Sequence, residues 1–104
     1  MNKYVLVAAL AVAAAAPAFA AEDMTKMAQE KSCLACHAVD KKLIGPGFKE
    51  VAAKYAGQKD AVAKLTDKVM KGGAGSFGQV PMPANPQVNA EQAKALVTWI
   101  LALK

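Results

Sequence analysis

The sequence predicts an all-α domain of about four short helices. Apolar residues recur at i, i+3, i+4 spacing in four separate stretches of the 104-residue chain. Gly- and Pro-containing breaks separate these stretches. No segment of useful length alternates apolar and polar residues as a half-buried strand does.

The first 20 residues stand apart. Met1, Asn2 and Lys3 form a short positive start, Tyr4 to Ala16 is an unbroken apolar run rich in Ala, and Ala18-Phe19-Ala20 follows Pro17 with small residues at the cleavage spacing. These are the parts of a secretory signal peptide. The run is too short and too Ala-rich for the roughly 20 apolar residues of a membrane span. The expectation is cleavage after Ala20, leaving residues 21–104 as one domain in a bacterial periplasm, with no stable membrane insertion. The leader also inflates the apolar fraction, which is 55% over the whole chain. Without it, about 25 large apolar side chains remain for a core, enough for one small domain and too few for two.

Asp23 to Lys31 reads as the first helix, with Met24, Met27 and Ala28 on one face. Leu43 and Ile44 then lead into Gly45-Pro46-Gly47, a stop to regular structure. Phe48 to Ala56 is a second helix with Phe48, Val51, Ala52 and Tyr55 as its stripe and Gly57 as its C′ stop. Asp60 to Lys71 is a third, with Asp60 as candidate N-cap, Val62, Leu65 and Val69 as stripe, and Gly72-Gly73 as its end. Residues 72–88 contain four Gly and three Pro and read as a long structureless loop. Asn89 to Leu103 is the strongest helix, and Asn89 with Gln92 forms a capping box.

Cys33, Cys36 and His37 are the only Cys and His of the chain, and they fall within five residues. A Cys33–Cys36 disulfide would close a very small loop and add little stability. A thiol-redox motif calls for a βαβ context, and a structural zinc site calls for a fourth ligand. C-x-x-C-H is the attachment signature of c-type haem, and it alone explains why His follows directly. Two thioether links would fix the haem, and His37 would reach the iron. A covalent haem also supplies the flat apolar body that a domain of this size needs to complete its core. Pro46 offers a carbonyl that could fix the His37 ring; a plain turn at Gly45-Pro46-Gly47 explains the same residues.

The second axial ligand separates electron transfer from ligand binding or oxygen chemistry. Met24 and Met27 lie on a helix face and read as core, and Met70 adjoins the stripe residue Val69. Met82 lies between Pro81 and Pro83, which fix the backbone on both sides. Spacing favours Met82 as ligand, with Met70 and an open site remaining as alternatives.

In this order, C-x-x-C-H, Gly45-Pro46, Val80-Pro81-Met82-Pro83-Ala84-Asn85 and a last helix bearing Trp99 resemble the small bacterial class I cytochromes c, the cytochrome c-551/c-552 (c8) family. The resemblance covers all of residues 21–104. It implies a four-helix fold around one haem c bound through Cys33 and Cys36, with His37 and Met82 as axial ligands. It further implies that Pro46 provides the carbonyl for His37 and that Asn85 hydrogen-bonds near the Met82 sulfur. Two positions depart from the pattern. Phe77 stands where the family often has Trp, and Phe48 where it often has Tyr, so neither offers a polar donor.

The reading is a periplasmic monohaem electron carrier rather than an enzyme, monomeric, passing single electrons between redox proteins. Nitrite reductases and terminal oxidases are the acceptors the resemblance suggests. The alternative is a haem-based gas binder or peroxidase-like enzyme with a labile Met82, against which stands the absence of a spare His or Arg. Nucleic acid is excluded, because no basic, aromatic-rich patch accompanies the export signal. The 13 basic residues are all Lys. Lysines are flexible point charges suited to transient docking. Lys41, Lys42, Lys68 and Lys71 are the expected rim. The association rate with an acidic partner should therefore fall as ionic strength rises. Reversing Lys68 and Lys71 to Glu should slow it further with little change in haem spectrum or midpoint; a rate flat in salt would exclude steering.

Overall fold

The computed structural model describes residues 23–104. The expected leader over residues 1–20 and its cleavage point lie outside them. Four α-helices are present, α1 (Thr25–Glu30), α2 (Phe48–Lys54), α3 (Ala61–Lys71) and α4 (Ala90–Leu101), with a 3-10 turn at Cys33–Ala35 and no strand among the described residues. The all-α expectation holds, and each helix falls within the stretch its apolar spacing marked.

The ends differ from the sequence reading for local reasons. Asp23 accepts a hydrogen bond from Thr25 N at 2.8 Å, so it precedes α1 rather than joining it. The same Thr25 contacts hold the Asp23 carboxyl below the usual carboxylate range. Asp60 occupies the N-cap position of α3 but makes no capping bond. Its carboxylate instead lies 3.8 Å from Lys64 Nζ one turn on, an exposed pair of little energetic weight. Gly57 lies two residues beyond the C-cap Tyr55 with a φ of 77°, one place later than expected. α4 carries the full capping box: Gln92 N donates to Asn89 Oδ1 at 2.8 Å, and Asn89 N donates to Gln92 Oε1 at 3.1 Å.

α4 packs against both α2 and α3. One buried cluster joins Met24, Ala28, Phe48, Val88, Ala93 and Leu96; a second joins Tyr55, Ala61, Leu65 and Val97. Among the described residues, Leu96 and Val97 are the largest fully buried side chains. Phe48 and Leu96 of the first cluster and Leu65 and Val97 of the second line one common cleft. The two half-cores therefore converge on a shared wall.

Residues 72–88 are not the structureless loop that their Gly and Pro content suggests. Gly73 and Met82 exchange both backbone hydrogen bonds, at 2.9 and 2.8 Å, and Gly75 N donates to Gly78 O at 2.9 Å. The loop is a folded-back strap pinned at its base. Gly72, with φ 75°, makes this possible. A Cβ there would press into Met82 O and lie 2.7 Å from Ala84 N, so the backbones approach this closely only through Gly.

A core divided around a cleft needs a body in the cleft to close it. The Cys33→Ala/Cys36→Ala protein, produced without haem, is expected to lack a cooperative thermal transition. A sharply melting, compact apo-protein would contradict this.

Candidate haem site

Three segments build the cleft. The first is the turn after α1. Cys33 and Cys36 sit three residues apart around the 3-10 turn, are half-buried free thiols, and both line the cleft. Burial pushes the Cys33 thiol up. His37 N donates to Cys33 O at 3.0 Å, so the turn itself carries His37 into place.

The second segment runs from Ala38 to the start of α2 and orients the imidazole. Phe48 N donates to Ala38 O at 2.8 Å and Lys49 N to Val39 O at 2.9 Å, docking the first turn of α2 against the chain just after His37. His37 Nδ1 lies 2.7 Å from Pro46 O. A carbonyl only accepts, so Nδ1 carries the proton and Nε2 keeps its lone pair for a Lewis acid. Phe48 stacks on the imidazole, with centroids 5.2 Å apart and planes at 26°. Trp99 meets Phe48 edge-on at 5.7 Å and supports it from behind. Gly45 also approaches the ring: a Cβ there would lie 2.6 Å from His37 Cε1 and 2.9 Å from Nδ1.

The third segment is the strap. Met82 is half-buried and lines the cleft. It is the one methionine among the described residues that does, since Met24 is buried and Met27 and Met70 pack against the first core cluster. Asn85 Nδ2 donates to Val69 O at 2.8 Å and to Pro83 O at 3.3 Å, tying the strap to the last turn of α3. At the tip, Lys54 Nζ bonds Ser76 O and lies 4.3 Å above the Phe77 ring. Phe77 faces the cleft and leans on Tyr55, so it acts as an apolar wall.

The cleft measures about 330 Å³. Lys42 and Lys68 border it, as do the exposed apolar side chains Ile44 and Val80. Lys71, expected on the same rim, pairs with Asp67 at 2.9 Å; that hydrogen bond pushes its pKa up and offsets its charge locally. Lys68 is left with the larger share of any steering by that pair.

This donor set fits a covalent haem. Two thiols, an imidazole nitrogen with a free lone pair and a thioether share one otherwise apolar cleft. Zinc fits less well, because Cys33, Cys36 and His37 supply three ligands and no carboxylate among the described lining residues adds the fourth that a structural zinc site takes. Fold and site together define a small class I c-type cytochrome. The Cytochrome c family profile matches residues 21–104, and the chain belongs to that family.

Its relatives include bacterial cytochromes c-551 and c-552. It is 53% identical over 77 residues to cytochrome c-551 of Allochromatium vinosum, covering 74% of this chain and 82% of that one. It is 46% identical over 104 residues to cytochrome c-552 of Hydrogenobacter thermophilus, covering 100% of both. The crystal structure of Nitrosomonas europaea cytochrome c552 superposes with a TM-score of 0.74 at 47% identity, over 76% of this chain and 98% of that one. The protein is a monohaem electron carrier with one covalently attached haem c.

In the sequence alone, Gly45 is a turn residue and Phe48 part of a helix stripe. Both touch the His37 ring. The ring is held by Pro46 O and Phe48, so it cannot swing away from a new Cβ. Gly45→Ala is expected to cost about 1–3 kcal/mol of holo-protein stability by denaturant unfolding, as overpacking does, and to perturb the haem spectrum. An unchanged spectrum would mean that the ring tolerates the methyl group.

Proposed function

We propose that the protein is an exported one-electron shuttle of the periplasm, synthesised with a leader over residues 1–20 and working as the single domain 21–104. Cys33 and Cys36 would carry the thioether links, and His37 and Met82 would hold the iron. The observation that carries this is the convergence of these four side chains on one cleft that no other methionine reaches among the described residues. Haem c bound there supplies a reversible Fe(III)/Fe(II) couple.

The chain's own residues serve that couple by holding still. Pro46 O fixes the proton of His37 on Nδ1, which directs Nε2 to the metal and strengthens it as a donor. The Gly73–Met82 bridge and the Asn85 bonds hold the Met82 backbone at both ends of the strap. A thioether ligand favours the reduced state and so a relatively high potential. Leu65, Val69, Leu96, Val97 and Ile100 give the cleft an apolar wall. The exposed Ile44 and Val80 mark where a partner reaches its edge, with Lys42 and Lys68 beside them.

Electron exchange is supported over peroxide or gas chemistry by what faces the cleft. The chain has one His and no Arg, and no carboxylate is among the described lining residues to act as a distal acid or base. Among the described residues no helix is long and apolar enough to cross a membrane. A redox protein that docks briefly at the Lys-bordered edge fits this surface; nitrite reductases and terminal oxidases are the acceptors to test.

Met82→Ala is expected to lose the weak long-wavelength band of a thioether–Fe(III) bond, to bind exogenous ligands and to drop in midpoint potential. Met70→Leu should do none of these. The opposite pattern would transfer the ligand role to Met70.

A further inference from the structure

The haem-attachment segment and the Met strap are far apart in sequence, and the haem is their expected bridge. Among the described residues, one hydrogen bond joins them through protein atoms. Gln87 Nε2 donates to Lys31 O at 2.9 Å across 56 positions. No other side-chain hydrogen bond among the described residues spans more than 22. The acceptor is the carbonyl of the C-cap residue of α1, a group left without an intrahelical partner. Directly after it, Ser32 holds a φ of 66°, a left-handed conformation costly for a residue with a Cβ. Cys33 follows at once.

Gln87 has a second partner. Its Nε2 also donates to Asn85 Oδ1 at 3.1 Å. That contact fixes which way the Asn85 amide faces, so Nδ2 points to Val69 O and Pro83 O. Pro83 adjoins Met82. A continuous polar relay thus runs from the end of α1, through Gln87 and Asn85, to the last turn of α3 and the residue beside Met82. Gln87 itself is exposed and touches nothing in the cleft, so its effect on the iron is indirect.

We propose that Gln87 is a positioning residue that couples the haem-attachment turn to the Met strap and slows the departure of Met82 from the iron. The proposal rests on Met82 as axial ligand. Loss of the Gln87 amide frees the Asn85 side chain to turn, unties Val69 O and Pro83 O, and releases the strap from α1. The Gly73–Met82 bridge then opens more often. The closed state holds the advantage of two exposed hydrogen bonds, each modest in net value.

The test uses the ferric holo-protein and imidazole as the entering ligand. The limiting rate of imidazole binding reports Met82 departure. In Gln87→Ala it is expected to rise about fivefold, with faster amide exchange at Gly73 and Met82 and an unchanged ferrous spectrum. Gln87→Glu keeps the shape but offers a carboxylate that only accepts, and at neutral pH it should be at least as fast as Gln87→Ala. Gln92→Ala, which removes the bond from Asn89 N to Gln92 Oε1 in the capping box of α4, deletes an exposed side-chain amide outside the relay and should leave the imidazole rate near wild type.

A Gln87→Ala rate equal to wild type would overturn the proposal. So would a Gln87→Glu protein that behaves as wild type, or a Gln92→Ala protein that accelerates as much as Gln87→Ala. Met82→Ala run alongside separates the two readings. If it does not open the iron to imidazole, the ligand assignment fails; if it does and Gln87→Ala is silent, the relay alone fails.

Discussion

The hydrogen bond from His37 Nδ1 to Pro46 O, at 2.7 Å, is the contact around which the site is arranged. It fixes the tautomer, leaves Nε2 as the donor, and sets the plane in which that donor points. Everything nearby serves to keep it. Gly45 leaves room for the ring on one face, Phe48 stacks on it, and Trp99 braces Phe48. The first turn of α2 docks on Ala38 and Val39, which brings Phe48 to the imidazole. Electron transfer works best when neither oxidation state demands a rearrangement, and a ring held by a hydrogen bond, a stack and a close backbone has little freedom to rearrange.

The Met strap solves the complementary problem with different means. A methionine in a loop is mobile unless the backbone is fixed, because the thioether side chain has three rotatable bonds. Here the fixation is by backbone. Gly73 and Met82 exchange two hydrogen bonds, Gly72 allows Met82 to Ala84 to pass against it, and Pro81 and Pro83 restrict the flanking dihedrals. Asn85 then anchors the base of the strap to α3, and Lys54 anchors its tip to α2. The His side is held by a hydrogen bond together with aromatic packing, and the Met side mainly by hydrogen bonds of the loop, which makes the strap the more easily opened half.

Surface charge is organised by the same economy of small size. α3 carries Lys64, Lys68 and Lys71, and two of these pair with the acid one turn earlier. Lys68 has Lys64 at that position instead; among the described residues it has no carboxylate partner and borders the cleft. Periodicity of charge along α3 therefore decides which of its three lysines keeps a free cation at the cleft, where Lys42 also lies. Because exposed pairs are worth little in stability, this pattern is better read as shaping the field around the haem edge.

The class of fold and the chemistry of the haem segment were legible in the sequence because both are local. Helix periodicity, the Asn89–Gln92 box and C-x-x-C-H each depend on residues within a few positions of one another, and the flanking prolines set Met82 apart from the other methionines. The sequence could not assign Gly45 or Phe48 to the imidazole, since those contacts form only when α2 folds back on the turn after α1. Nor could it turn residues 72–88 into a strap, because Gly and Pro specify where regular structure stops and say nothing of which carbonyl meets which amide. Asp60 misled for the same reason: its cap position is right, but the backbone there is not extended and the carboxylate faces Lys64 instead. Gln87 carried no signal at all. Its partner lies 56 residues away, and only the packing of the Met strap against the end of α1 decides that an ordinary surface amide joins the two halves of the site.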